Sequence, residues 1–256
     1  MDIDRYLEIL REEGELLLAA ALRAGWDAEV PACPGWRVRD LVTHQGTVHR
    51  WAGRIVSEGR TRDVPAPEAD VPDELLPDWF ARGHRRLLAA LREAPADLEC
   101  WTFLRGARSP LAFWARRQAH ETAVHRVDAE LASGPDLSPV DPLFAADGID
   151  ELLVGFHTRP TSRVRSARPR VLRVTARGFA PWTLRLSPEP PVVSREEDAA
   201  ADCAVTGEAA DLYLALWNRR PYGERVSVEG DAGLARLWHA DSAVRWSDPA
   251  PERVDS

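Results

Sequence analysis

The sequence predicts an α+β protein of two domains. An N-terminal four-helix bundle spans 1–142, a small α+β domain with an open sheet spans 143–247, and a flexible tail spans 248–256. Three observations carry this expectation. The 256 residues exceed an ordinary single domain and suit two of roughly 100–150 residues each. Apolar residues recur at helical spacing in the first half and in short alternating runs in the second, which are the signals of helix and strand. A stretch dense in breakers, Ser133-Gly-Pro-Asp-Leu-Ser-Pro-Val-Asp-Pro142, separates the two textures.

Ile3, Leu7, Leu10 and Leu17 predict a first helix over 2–26. Pro31-Ala-Cys-Pro-Gly35 then breaks the chain. A second helix is expected over 36–57 and a loop with Gly59, Pro65 and Pro67 over 59–72. Leu75, Leu76, Trp79, Phe80, Leu87, Leu88 and Leu91 predict a third helix over 73–94. The fourth opens at Ser109-Pro110, a capping residue followed by proline at the first helical position, and runs to about Leu131. One apolar arc is expected on each of the four, as in a bundle. A short helix over 143–157 follows. Val171–Thr175, Trp182–Leu186, Cys203–Thr206 and Val226–Gly230 read as strands, and 211–217 and 231–240 as helices.

Composition narrows the function. Net charge is −8 and all 33 basic residues are arginine, with no long basic run. That argues against a nucleic-acid partner, whether duplex or single strand. No apolar stretch approaches the ~20 residues of a membrane span, so no membrane partner is expected. The acidic start MDIDRYLEIL lacks the features of a signal peptide, and a cytoplasmic location is the expectation. Cys33, Cys100 and Cys203 form no CxxC pair, which suits reduced thiols and excludes a cysteine-rich zinc module. A monomer or homodimer acting on a small molecule is expected.

Polar residues stand where core should be. Leu111, Trp114, Gln118, Glu121, His125 and Asp128 share one face of the fourth helix, and Leu41, His44, Val48, Trp51 and Ile55 share one face of the second. Glu121 and His125 lie one turn apart, and His44 sits mid-stripe. Two histidines and a carboxylate on facing helices satisfy one another by sharing a metal ion. Three protein ligands leave open positions, as in catalytic sites. Read singly, His44 also suits a hydrogen-bonded core, and Glu121 with His125 a surface pair. Asp40 and Asp128 are candidates for orienting an imidazole or for a solvated helix edge. His120 and His125 are five apart, about 140° around a helix, so they do not form a zincin pair. His49 stands likewise to His44. Cys33 reads as a packing residue or a helix-entrance thiol.

Cys33-Pro-Gly-Trp-Arg-Val-Arg-Asp-Leu-Val-Thr-His44 resembles the CPGW-x-V-x-DL-x-x-H signature of mycothiol-dependent maleylpyruvate isomerases and their relatives. Ala119-His-Glu-Thr-Ala-Val-His-Arg-Val-Asp128 is similar to the second motif of that family. The resemblance implies a DinB-like metal-binding bundle, with His44, Glu121 and His125 holding a divalent ion, usually zinc. It implies mycothiol, the small thiol of actinobacteria, as cosubstrate. The implied reaction is thiol addition to a cis double bond, rotation and elimination, or thiol transfer to a small electrophile. Leu214-Ala-Leu-Trp-Asn-Arg219 resembles a helix-end segment written with Gly before the Arg, where this chain has Asn218. That resemblance makes Arg219 the candidate catalytic residue, with Arg220 its rival. Two other readings of the same bundle are a non-enzymatic metal- or small-molecule-binding accessory protein and a metal-dependent hydrolase. Activity without added thiol separates the last from the first.

Overall fold

The computed structural model describes residues 1–104, 106–196, 200–223 and 225–244, so the expected tail, 248–256, lies outside the described residues. The chain divides into two compact units, Met1–Gly148 and Ile149–Ser256. Among the described residues, no helix is long and apolar enough to cross a membrane.

The first unit is a helical bundle of α1 (Ile3–Ala24), α2 (Val38–Ser57), α3 (Leu76–Glu93) and α4 (Pro110–Ser133), with α5 (Pro142–Asp150) reaching the boundary. Local chemistry sets each start. Asp2 caps α1 by accepting from the Arg5 amide at 2.9 Å. Asp40 reaches back to the Arg37 amide at 2.8 Å, closing the first turn of α2. Ser109 caps α4 by accepting from the Ala112 amide at 3.1 Å, with Pro110 behind it. A single 3-10 turn, Asp73–Leu75, leads into α3. α1 lies along α4, and α2 along α3.

α4 departs from the single apolar arc expected of it. From Arg117 to Glu130 every residue is buried, the charged ones included. The cause is position: α1 and α2 pack on it, and residues of α5 close over part of what remains. Its charges therefore survive only as partnered groups. Arg126 donates to Glu13 on α1 at 2.6 Å and to Glu130 one turn on at 2.7 Å. Glu130 in turn accepts from the Ser138 hydroxyl at 2.6 Å, which ties down the segment after α4. His120 stacks on Phe144, with ring centroids 4.1 Å apart, and its Nε2 meets Asp147 at 2.8 Å. Tyr6 and Arg116 also donate to Asp147, at 2.9 and 2.8 Å. Burial works against the Asp147 charge, but His120 and Arg116 outweigh it and hold the carboxyl well below the usual carboxylate range.

The expected helix over 143–157 is α5, which ends just past the boundary, followed in the second unit by a π-helical stretch, Glu151–Phe156. Five strands follow the order β3-β2-β1-β4-β5: β1 (Arg170–Ala176), β2 (Trp182–Leu186), β3 (Val192–Ser194), β4 (Cys203–Gly207) and β5 (Val226–Gly230). β1 and β4 run parallel; the other pairs are antiparallel. The sheet is open and mixed. Strand β3 was not expected, because three residues behind Pro190-Pro191 give too short a pattern to alternate. α6 (Ala209–Leu216) and α7 (Ala232–Asp241) complete the unit.

Two outcomes follow from these buried groups. Glu13→Ala takes from the Arg126 guanidinium its partner on α1 and leaves it Glu130 and the Ser138 carbonyl, and denaturant unfolding is expected to show a loss of about 1.5–3 kcal/mol, the usual range for a lost hydrogen bond to a charged group. His157 is buried against Trp238, and burial pushes its imidazole down to about 4, against a smaller opposing effect of the Ser242 backbone. Unfolded, it takes a proton below about 6.5; folded, it stays neutral to about 4. The contribution of His157 is thus constant above 6.5 and falls by roughly 3 kcal/mol as pH drops from 6.5 to 4. Urea melts at pH 7 and pH 4.5 check this, and His157→Gln is expected to shrink the difference.

Candidate metal centre

The site is assembled from a loop, α2 and α4. A bridge between Glu29 and Arg37 closes the loop before α2. Inside it, the Trp36 amide donates to the Cys33 carbonyl at 3.0 Å, turning through Pro34 and Gly35, whose φ is +85°. Proline then glycine is what such a turn requires. The turn delivers Trp36 to the imidazoles: its ring centroid lies 5.0 Å from that of His44 and 6.4 Å from that of His125. The two imidazoles are 5.2 Å apart and nearly perpendicular.

Below them lies Glu121. Its Oε1 is 3.5 Å from His125 Nε2 and 3.8 Å from His44 Nε2. One ligand atom from each of the three residues falls within 4.8 Å of the others. Glu121 Oε1 is buried with no hydrogen bond to any described residue, and an orphaned buried carboxylate oxygen asks for an explanation. Two imidazole nitrogens and a carboxylate oxygen converging on one point form a donor set that suits zinc or another divalent transition ion. Glu121 and His125 are buried, whereas His44 is half-exposed, so the site opens on the α2 side.

The rear of the site is anchored. The other oxygen of Glu121, Oε2, accepts from Arg117 Nη2 at 2.8 Å. His125 Nδ1 meets Asp128 Oδ2 at 2.9 Å, and the Cys33 thiol donates to that same oxygen at 3.6 Å. A second polar layer joins α2 to α4. Gln45 donates to the Thr122 hydroxyl at 3.0 Å, and His49 Nε2 lies 2.9 Å from it. Gln45 and Thr122 adjoin His44 and Glu121 in the chain, so this layer sets the register in which the ligand atoms meet.

Electrostatics follow the same geometry. Burial pushes Glu121 up, but Arg117, then His125 and His44, outweigh it and hold the carboxyl well below its ordinary value. Burial disfavours charge on His125 too, yet Asp128 and Glu121 raise it to about 9. At His49 burial wins: with His84 and Arg50 nearby it outweighs Glu121 and pushes the group well down, leaving a neutral imidazole.

The other residues singled out in the sequence sort clearly. His120 is held by Asp147 and His49 by Thr122, both away from the triad. Asp40 caps α2, while Asp128 does meet an imidazole. Arg219 and Arg220 follow α6 in the second unit. Asn218 sits there in the left-handed region, at φ +62°, which asparagine tolerates next best to glycine. The Asn218 and Arg219 amides close the helix onto the Ala215 and Leu214 carbonyls, at 3.0 and 2.8 Å. Arg220 is paired with Asp211 at 3.1 Å, and Arg219 Nη1 donates to the Trp217 carbonyl at 2.7 Å. Sequence reasoning missed Arg117. The signal was an arginine one turn before Glu121, just off the stripe that drew attention.

Comparison with known proteins sets this geometry in context. Residues 7–130 match the family described as "Mycothiol maleylpyruvate isomerase N-terminal domain", and 144–237 match "MDMPI C-terminal domain". The chain belongs to the mycothiol maleylpyruvate isomerase family. Two crystal structures share the fold of this family member across most of its length. One is of the mycothiol-dependent maleylpyruvate isomerase, at 15% identity and a TM-score of 0.61, covering 89% of this chain and 93% of that one. The other is of a histidine-to-alanine mutant of that enzyme, at 13% identity and a TM-score of 0.62, with the same coverage. A comparison with curated proteins gave no match.

Proposed function

We propose that the chain is a metal-dependent, mycothiol-using isomerase of a maleylpyruvate-like ene-dicarbonyl acid, with a divalent ion, zinc, held by His44, Glu121 and His125. Family membership supports the reaction class. The observation that carries the metal is Glu121 Oε1, buried and without a hydrogen bond between two imidazole nitrogens. An ion held there supplies Lewis acidity, lowering the pKa of a thiol that reaches it so that the sulfur is a nucleophile at neutral pH.

The residues of the chain prepare that chemistry. Asp128 accepts the Nδ1 proton of His125, which leaves the Nε2 lone pair for the ion once the second proton departs. That proton is held up to about 9 in the metal-free protein, so ion binding releases it. Trp36 lies against both imidazoles and shields them from water on that side. His44, half-exposed, marks the side where substrate and thiol enter. The resemblance of the segment ending at Arg219 to the family keeps that arginine the candidate for holding a substrate carboxylate, which a guanidinium does by paired hydrogen bonds.

Elemental analysis of untagged protein is expected to find on the order of one zinc or other divalent ion per chain. His44→Ala, Glu121→Ala and His125→Ala should each lose it while circular dichroism stays helical. Maleylpyruvate isomerisation with added mycothiol should stop on chelation and return with zinc. Full activity in chelated protein, or retention of the ion by all three variants, would contradict the reading. A stable thioether product in place of the trans acid would reassign the reaction to thiol transfer.

A further inference from the structure

The geometry points to a positioning residue that the triad does not include: we propose that Arg117 sets which oxygen of Glu121 is offered to the ion. This rests on the metal reading above and goes beyond it. The two oxygens of Glu121 have different surroundings. Oε2 is 2.8 Å from Arg117 Nη2, whereas Oε1 has no hydrogen bond and faces both imidazole nitrogens. A carboxylate left to itself can bind an ion through one oxygen or both. Arg117 occupies Oε2, so the carboxylate binds through Oε1 alone and positions stay open for substrate and thiol.

The pair is built to last. Arg117 is fully buried one turn before Glu121 on α4, so both side chains leave the same face of a helix that packs on every side. A surface pair at this spacing contributes little. Here neither group has room to wander, and a guanidinium does not lose its proton in proteins. Arg117 thus acts on Glu121 as Asp128 acts on His125, holding the atom of the ligand that faces away from the ion.

The alternative role is that of a charge staple for the fold, and a double-mutant cycle read with cobalt(II) separates the two. With Glu121 present, Arg117→Met frees Oε2. Cobalt affinity is expected to fall about tenfold or more, as when outer partners of ligands are removed, and the visible spectrum to shift toward higher coordination. In Glu121→Gln, Arg117 claims the amide oxygen, turns the NH2 toward the histidines and abolishes binding. Adding Arg117→Met to Glu121→Gln releases the amide to present its oxygen, and binding strengthens. The sign of the Arg117→Met effect therefore reverses between the two backgrounds. Simple relief of charge repulsion would strengthen binding in both. An effect of the same sign in both backgrounds, or none, overturns the proposal. The Glu121→Gln/Arg117→Met protein carries no buried charge from this pair, so it decides the matter even if Arg117→Met alone fails to fold: no strengthening over Glu121→Gln overturns it. A wild-type protein that binds no cobalt overturns the metal reading itself, and this one with it.

Discussion

A helix enclosed on all sides can keep charged side chains only where each meets a partner, because an unpaired buried charge costs several kcal/mol or more. α4 lives under this constraint. Arg126 is met by Glu13 and Glu130, His120 by Asp147, His125 by Asp128, and Arg117 by Glu121. The bundle packs as it does because these partners arrive from α1, from α5 and from α4 itself. Most of these contacts close completely. At Glu121 one oxygen is left over, as is the side-chain amide of Gln118 on the same helix.

What separates a structural network from a site is that two imidazole nitrogens face the leftover oxygen of Glu121. The triad combines firm support with three donor atoms that converge within 4.8 Å of one another. Arg117 and Asp128 fix the rear atoms of Glu121 and His125, and the Gln45, His49 and Thr122 layer joins the helices that carry them. Preorganised donors need little rearrangement to receive an ion, and their supporting contacts commonly govern affinity. The CPGW loop contributes from outside the helices, bringing a thiol to Asp128 and an indole to both imidazoles.

The parts of this arrangement that repeat along a helix were legible in the sequence. His44, Glu121 and His125 drew attention because each interrupts an apolar stripe, and the helices that carry them have strong caps and breakers at their ends. Contacts between distant residues left no such trace. Arg126 and Glu13 are 113 positions apart, and nothing near either names the other. The indole of Trp36 reaches the histidines only through the turn at Pro34 and Gly35. The single arc expected of α4 failed for a related reason: a pattern of polar residues tells of polarity, and whether they meet water or one another depends on what packs around them. Strand β3 was too short to read. At Asn218, by contrast, the departure from glycine was visible in sequence and the left-handed backbone accounts for it.

The central claim is that His44, Glu121 and His125 hold one divalent ion. Anomalous diffraction from crystals of the purified protein, recorded on both sides of the zinc edge, tests it most directly. The account predicts a single strong peak roughly 2.0–2.2 Å from one nitrogen of each histidine and from Oε1 of Glu121. An ordered triad with no anomalous density, in crystals grown with zinc, would contradict it.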